Sequence, residues 1–142
     1  MYLLDTNVVS ELRKVTKGTA DPNVVAWART APKAALFISV TSLLELEIGA
    51  LLIARRDAVQ GGMLRRWLEE QVRVEFDGRI LPLDTEVALR CAKLHVPNPR
   101  PDRDAWIAAT ALVRGLTIVT RNVADFAPTG VALLNPWEAQ GA

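Results

Sequence analysis

The chain opens on an apolar run, Met1-Tyr2-Leu3-Leu4, stops on Asp5 and continues as Thr6-Asn7-Val8-Val9-Ser10-Glu11-Leu12. A short apolar run closed by a carboxylate predicts a buried strand. The polar-headed segment Thr6–Arg13 predicts a short helix. The alternation then repeats. Val15–Pro22, rich in Gly, Thr and Lys, reads as loop, and Asn23–Thr30 as a helix with Val24, Val25 and Ala28 on one face. Leu36–Val40 predicts a second strand. Leu43–Arg55 predicts a helix whose apolar stripe is Leu44, Ile48, Leu51 and Leu52. A turn is expected around Gly61-Gly62. Beyond it, Leu64, Trp67, Leu68 and Val72 fall at helical spacing, and Met63–Val74 reads as a core helix.

Ile80–Leu83 predicts a strand. Asp84 reads as the cap of a helix through Leu94, with Glu86 in its first turn. Pro97, Pro99 and Pro101 exclude helix interior and predict a stiff extended loop. Asp102–Arg114 is an apolar helix, and Gly115 is its stop. Leu116–Thr120 is a strand, Arg121–Phe126 a turn and Val131–Leu134 a last strand. Alternating strands and helices predict an α/β fold with a mostly parallel sheet covered on both faces. A chain of 142 residues suits one domain, 1–142.

Composition narrows the function classes. The net charge of +1 gives the whole chain no bias toward nucleic acid or membrane, so a nucleic-acid role needs a local patch. Thirteen of the 17 basic residues are Arg, the residue whose planar fork suits phosphate. Arg100, Arg103 and Arg121 stand beside Asp104 and Asp125 in the sequence and are the best candidates for contact with nucleic-acid phosphate. The single Cys91 excludes an intramolecular disulfide and fits a reducing cytoplasm. The first residues read as strand rather than as a secretory leader. Ala34–Ala54 is apolar but carries Glu45 and Glu47, so it reads as strand and helix rather than a membrane span.

Asp5, Glu45, Asp104 and Asp125 each stand after a predicted strand or at a helix start, with Asn122 beside the last. Each acid alone is explained as well by helix capping. Ser42-Leu43-Leu44-Glu45 matches a capping box, Asn122 precedes Asp125 in a similar way, and Asp102 or Asp104 could cap the helix that follows. Taken together they say more. Strands of a parallel sheet place their C-terminal ends on one rim, so Asp5, Glu45 and Asp125 should converge. Crowded carboxylates repel unless a cation offsets their charge, and a hard cation such as Mg²⁺ prefers oxygen ligands. One His and one Cys cannot build a usual zinc site, and no phosphate loop or nucleophile elbow is present. Glu45 and Glu47 lie about 200° apart on a helix. Glu45, near the helix start, is the better site candidate, and Glu47 is expected to face solvent or a partner.

Four segments together resemble the PIN-domain ribonucleases, and specifically the VapC toxins of bacterial type II toxin–antitoxin pairs. They are Leu3–Glu11, Ile38–Gly49, Asp104–Ala111, and Val119–Phe126 closing with Leu134-Asn135-Pro136-Trp137. The resemblance implies a three-layer α/β/α sandwich and an endoribonuclease dependent on Mg²⁺ or Mn²⁺. It makes Asp5, Glu45 and Asp104 the first three acids, with Asp5 and Asp104 as metal ligands. It puts Asn122 where many members carry Asp, and Asp125, one helical turn on, is taken as the fourth acid. Thr6, Asn7, Thr120, Arg121 and Asn122 are the candidate substrate contacts; capping and turn hydrogen bonds are the competing explanation for Thr6, Asn7 and Thr120. The resemblance also implies a homodimer, inhibition by a VapB-type antitoxin that inserts a peptide near the acids, and contact with DNA only through that antitoxin. The alternatives are a metal-dependent nuclease acting on other nucleic acid, and a non-catalytic partner of a DNA-binding regulator.

Overall fold

The computed structural model describes residues 1–140; Gly141 and Ala142, the end of the expected domain, lie outside the described residues. Its strands are β1 (Tyr2–Leu4), β2 (Leu36–Ser39), β3 (Ile80–Leu81), β4 (Thr117–Val119) and β5 (Leu133–Leu134). They form one sheet in the order β3-β2-β1-β4-β5, and every pairing is parallel. The expected mostly parallel sheet is therefore wholly parallel among the described residues.

The helices are α1 (Thr6–Leu12), α2 (Pro22–Thr30), α3 (Val40–Arg56), α4 (Ala58–Trp67), α5 (Arg73–Glu75), α6 (Thr85–Leu94), α7 (Asp102–Arg114) and α8 (Val123–Phe126). A π-helical turn, Leu68–Val72, joins α4 to α5. Adjacent residues of β1 point to opposite faces. Leu4 joins the core made with Val8, Val9, Trp27, Leu46, Ala50, Leu68 and Val72, under α1 to α4. Leu3 joins the core made with Ile107, Ala108, Ala111 and Phe126, under α7 and α8. The handedness of the crossovers explains this division. The chain steps one way from β1 to β2 to β3, then back across β1 to β4 and β5. Right-handed connections made in opposite directions fall on opposite faces. The expected three layers follow.

Three local expectations are corrected. First, α3 begins at Val40, not Leu43. Ser39 caps it, its hydroxyl oxygen accepting the N–H of Thr41 at 2.9 Å and of Ser42 at 3.4 Å. Ser42 lies within the first turn, fully buried, and its hydroxyl has no hydrogen-bond partner among the described residues. Second, the chain turns at Asp57, not at Gly61-Gly62. Asp57 ends α3, and its carboxylate accepts the N–H of Val59 and Gln60, both at 3.1 Å, to start α4. Gly61 sits inside α4, where a Cβ would lie 2.5 Å from Ala54 Cβ. It lets α4 press against α3 rather than bend the chain. Third, the Leu44, Leu51 and Leu52 stripe faces outward, with Leu51 58% and Leu52 59% exposed. The buried face of α3 is Thr41, Ser42, Leu46 and Ala50. Apolar residues encircle most of α3, so periodicity alone does not select its core face.

Candidate active site

The strand order reverses between β1 and β4, and the C-terminal ends of these neighbours form a switch point of the kind where ligands settle. The Asp5 N–H donates to the carbonyl oxygen of Val119, the last residue of β4, at 2.9 Å, which carries the pairing one residue beyond the end of β1. Asp5 therefore leaves the sheet at the rim, 7% exposed. Its carboxylate caps α1 by accepting the N–H of Thr6 on Oδ1 at 2.8 Å. Its other oxygen, Oδ2, accepts the Thr120 hydroxyl at 2.8 Å and the Asn7 amide at 3.4 Å. The Thr120 hydroxyl in turn accepts the Asn122 N–H at 3.0 Å and the Asn7 amide at 3.4 Å. Asn7 Oδ1 accepts the Arg121 N–H at 3.4 Å.

Glu45 reaches the same rim from the second turn of α3. Its Oε1 accepts the Thr6 hydroxyl at 2.8 Å, and its Oε2 lies 3.8 Å from Arg103 Nη1. Glu47, on another side of the helix, pairs with Arg65 of α4 at 2.6 Å, so its charge is spent bracing the hairpin. Asp104 stands in the first turn of α7 and is half-buried. Neither it nor Asp102 caps the helix; Pro101 occupies that position without a side-chain bond. Asn122 is the cap residue of α8 but makes no side-chain capping bond, and Asp125 is exposed in that short helix.

The electrostatics tie the four acids together. Burial pushes the Asp5 carboxyl above its ordinary range; the bonds from Thr120 and Thr6 pull it down, and repulsion from Glu45 and Asp104 pushes it up again. Burial also raises Asp104, with repulsion from Asp125 and then Glu45. Asp125 thus joins the group through Asp104. The structure brings Asp5, Glu45 and Asp104 within electrostatic reach of one another, and Asp125 within reach of Asp104. It places Thr6, Asn7 and Thr120 on the carboxylates themselves, where sequence reasoning had offered them as substrate contacts or turn bonds. Adjacency in sequence could have signalled only the Asp5–Thr6 cap; the Thr6–Glu45 bond spans 39 residues.

Of the three arginines, Arg103 alone lies against one of these acids. Arg100 Nε donates to the Leu94 carbonyl at 2.8 Å, and the Arg121 guanidinium stacks on Trp137 at 5.3 Å. His95 belongs to the α6–α7 connection. It accepts the Arg100 N–H at 3.2 Å and lies 3.8 Å from Asp102.

Among the described residues, no three acidic, histidine or cysteine side chains close into a cage for an ion. A hard cation does not require one. Mg²⁺ is usually held by one or two carboxylates, with water and substrate phosphate filling the other positions. An all-oxygen set with excess negative charge fits that mode, and Asp5 with Asp104 is the pair it would use.

A PIN domain family model matches residues 2–128, and the chain belongs to this family. Over nearly its whole length it is similar to toxins and ribonucleases of that kind. It is 32% identical to VapC ribonuclease Y4jK of Sinorhizobium fredii, covering 97% of this chain and 99% of the relative. It is 33% identical to Toxin FitB of Neisseria gonorrhoeae, covering 96% and 99%. The crystal structure of FitAcB from Neisseria gonorrhoeae superposes with a TM-score of 0.86 at 33% identity, over 96% of this chain and 99% of that one. No helix among the described residues is long and apolar enough to cross a membrane.

Proposed function

We propose that this chain is the toxin of a type II toxin–antitoxin pair, an endoribonuclease that needs Mg²⁺ or Mn²⁺ and acts in the cytoplasm. One observation carries the reading: in a PIN domain, carboxylates from four separate segments crowd the β1–β4 rim, and Arg103, 3.8 Å from Glu45, is the one cation paired with them among the described residues. Asp5 and Asp104 would hold the metal. A bound metal supplies a lowered water pKa and offsets charge on the phosphoryl oxygens. The protein's own groups do the rest. Thr6, Asn7 and Thr120 fix both oxygens of Asp5. Glu45 and Asp125 orient water and accept its proton, and Arg103 offers a cation to the RNA backbone. In-line attack by water leaves a 5′-phosphate and a 3′-hydroxyl.

The similarity to Toxin FitB and to VapC ribonuclease Y4jK supports the toxin's place in such a pair; in this reading an antitoxin of the VapB type is the inhibitor, and operator DNA is reached only through it. The outward apolar face of α3 and α4, with Leu51, Leu52, Val59 and Met63 exposed, supports assembly into a homodimer. The test is cleavage of RNA by the purified protein with and without Mg²⁺. Asp5→Asn and Asp104→Asn should each abolish metal-dependent cleavage while circular dichroism stays unchanged. Full activity in both variants would falsify the assignment. Cleavage of DNA but not RNA would replace the substrate.

A further inference from the structure

Thr6 touches two of the four acids at once. Its backbone N–H donates to Asp5 Oδ1 and its hydroxyl donates to Glu45 Oε1, both at 2.8 Å. The two acids come from different elements, the end of β1 and the second turn of α3. Thr6 is the first residue of α1, so its backbone is fixed by the helix it begins, and half-burial limits its side chain. Bonds to a carboxylate from a fixed donor are short and strong, and they settle which oxygen stays free. Here Oε1 of Glu45 is committed to Thr6. Its Oε2 makes no hydrogen bond among the described residues and has Arg103 Nη1 3.8 Å away.

We infer that Thr6 is a positioning residue for the proposed cleavage: its hydroxyl holds Glu45 in register with Asp5, so that Glu45 works through Oε2 alone. The inference rests on the ribonuclease reading, and it replaces a direct contact between Thr6 and RNA. A long glutamate side chain has several rotamers, and a single fixed donor removes that freedom before substrate arrives. Arg103 then acts on the remaining oxygen, where it balances charge at the site without anchoring the side chain.

Two substitutions separate positioning from substrate contact. Thr6→Val keeps the shape and the backbone N–H but removes the hydroxyl donor, and Thr6→Ser keeps the donor. The purified proteins are compared for cleavage of one RNA with Mg²⁺, and for Mn²⁺ binding followed by electron paramagnetic resonance. Thr6→Val should lower kcat about ten- to hundredfold, the worth of one bond to a charged group, with KM within about twofold. Thr6→Ser should recover most of kcat. In a Glu45→Gln background, Thr6→Val should cost little more, because the acid it serves is already gone. Mn²⁺ binding should weaken at least about threefold in Thr6→Val and not in Thr6→Ser. An unchanged kcat in Thr6→Val, a rise in KM alone, or failure of Ser to rescue overturns the inference. If the parent protein cleaves no RNA, the ribonuclease reading falls instead. The Mn²⁺ comparison then decides the inference alone, and equal affinity in all three proteins overturns it.

Discussion

Asp5 and Asp104 share one rim and one charge, yet the protein holds them in opposite ways. Asp5 is buried and receives the Thr6 N–H, the Thr120 hydroxyl and the Asn7 amide. Asp104 receives no hydrogen bond among the described residues; burial raises its carboxyl, and repulsion from Asp125 and Glu45 raises it further. The first half of the site, Asp5 with Glu45, is organised by the fold. The second half, Asp104 with Asp125, is left with its repulsion. If the proposed cation binds, the site is rigid at the ligand it would hold first and repulsive where the cation would relieve the charge.

The largest break is at the two aspartates themselves. Asp5→Asn and Asp104→Asn should each lower metal-dependent RNA cleavage by a factor on the order of a hundred or more, measured as kcat/KM. If one of them leaves cleavage near the parent rate, the two halves are not one site. The next break reaches the organised half from behind. Gly61→Ala would drive a methyl into Ala54 of α3, the helix that carries Glu45. Forced shifts in packed helices cost about 1–3 kcal/mol. Urea unfolding should show a loss of that order, and an unchanged midpoint would mean that the hairpin yields easily. A smaller effect follows from Thr120→Val. Asp5 loses the hydroxyl that pulls its carboxyl down, so its pKa should climb further, and cleavage should fall roughly tenfold at pH 7. Thr120→Ser should recover it.

The smallest effect sharpens the contrast without catalysis. Both carboxyls titrate higher in the folded protein than their ordinary 3.8. The folded state then binds protons more tightly than the unfolded state. The stability these two carboxyls contribute to the metal-free protein should be fully present below 3.8, fall as pH rises through the raised folded values, and be gone above them. Asp104→Asn should flatten that decline and stabilise the metal-free protein at pH 7, because it removes repulsion and breaks no hydrogen bond. Asp5→Asn should gain less, since an amide cannot accept all the donors that Asp5 accepts. Thermal melts across pH test both. An Asp104→Asn protein less stable than the parent at pH 7 would break the comparison.

Much of this was readable in advance. Apolar runs that stop on Asp5 or Thr120 mark strands ending at a rim, because burial of a short strand and exposure of its end leave few other patterns. The Pro97-to-Pro101 loop, the Gly115 stop of α7 and the Asp84 cap of α6 follow from backbone chemistry alone. The start of α3 was not readable. Ser39 and Ser42 are both able to cap, and only the end of β2 chooses between them. The turn at Asp57 was obscured by a Gly pair that serves helix packing. The core face of α3 was ambiguous because Leu44, Leu51 and Leu52 satisfy helical period as well as Leu46 and Ala50 do.

By itself the sequence determined the alternation of strand and helix, the placing of four acids near strand ends and helix starts, and the resemblance to one nuclease family. These depend on residue type and short spacing. Only the tertiary structure decided how the acids are held. It put the Thr6 hydroxyl on Glu45 and the Thr120 hydroxyl on Asp5, 39 and 115 positions away, and left Asp104 without a donor among the described residues. The sheet order β3-β2-β1-β4-β5 brings these residues to one rim, and distances across a sheet are not written in neighbouring residues.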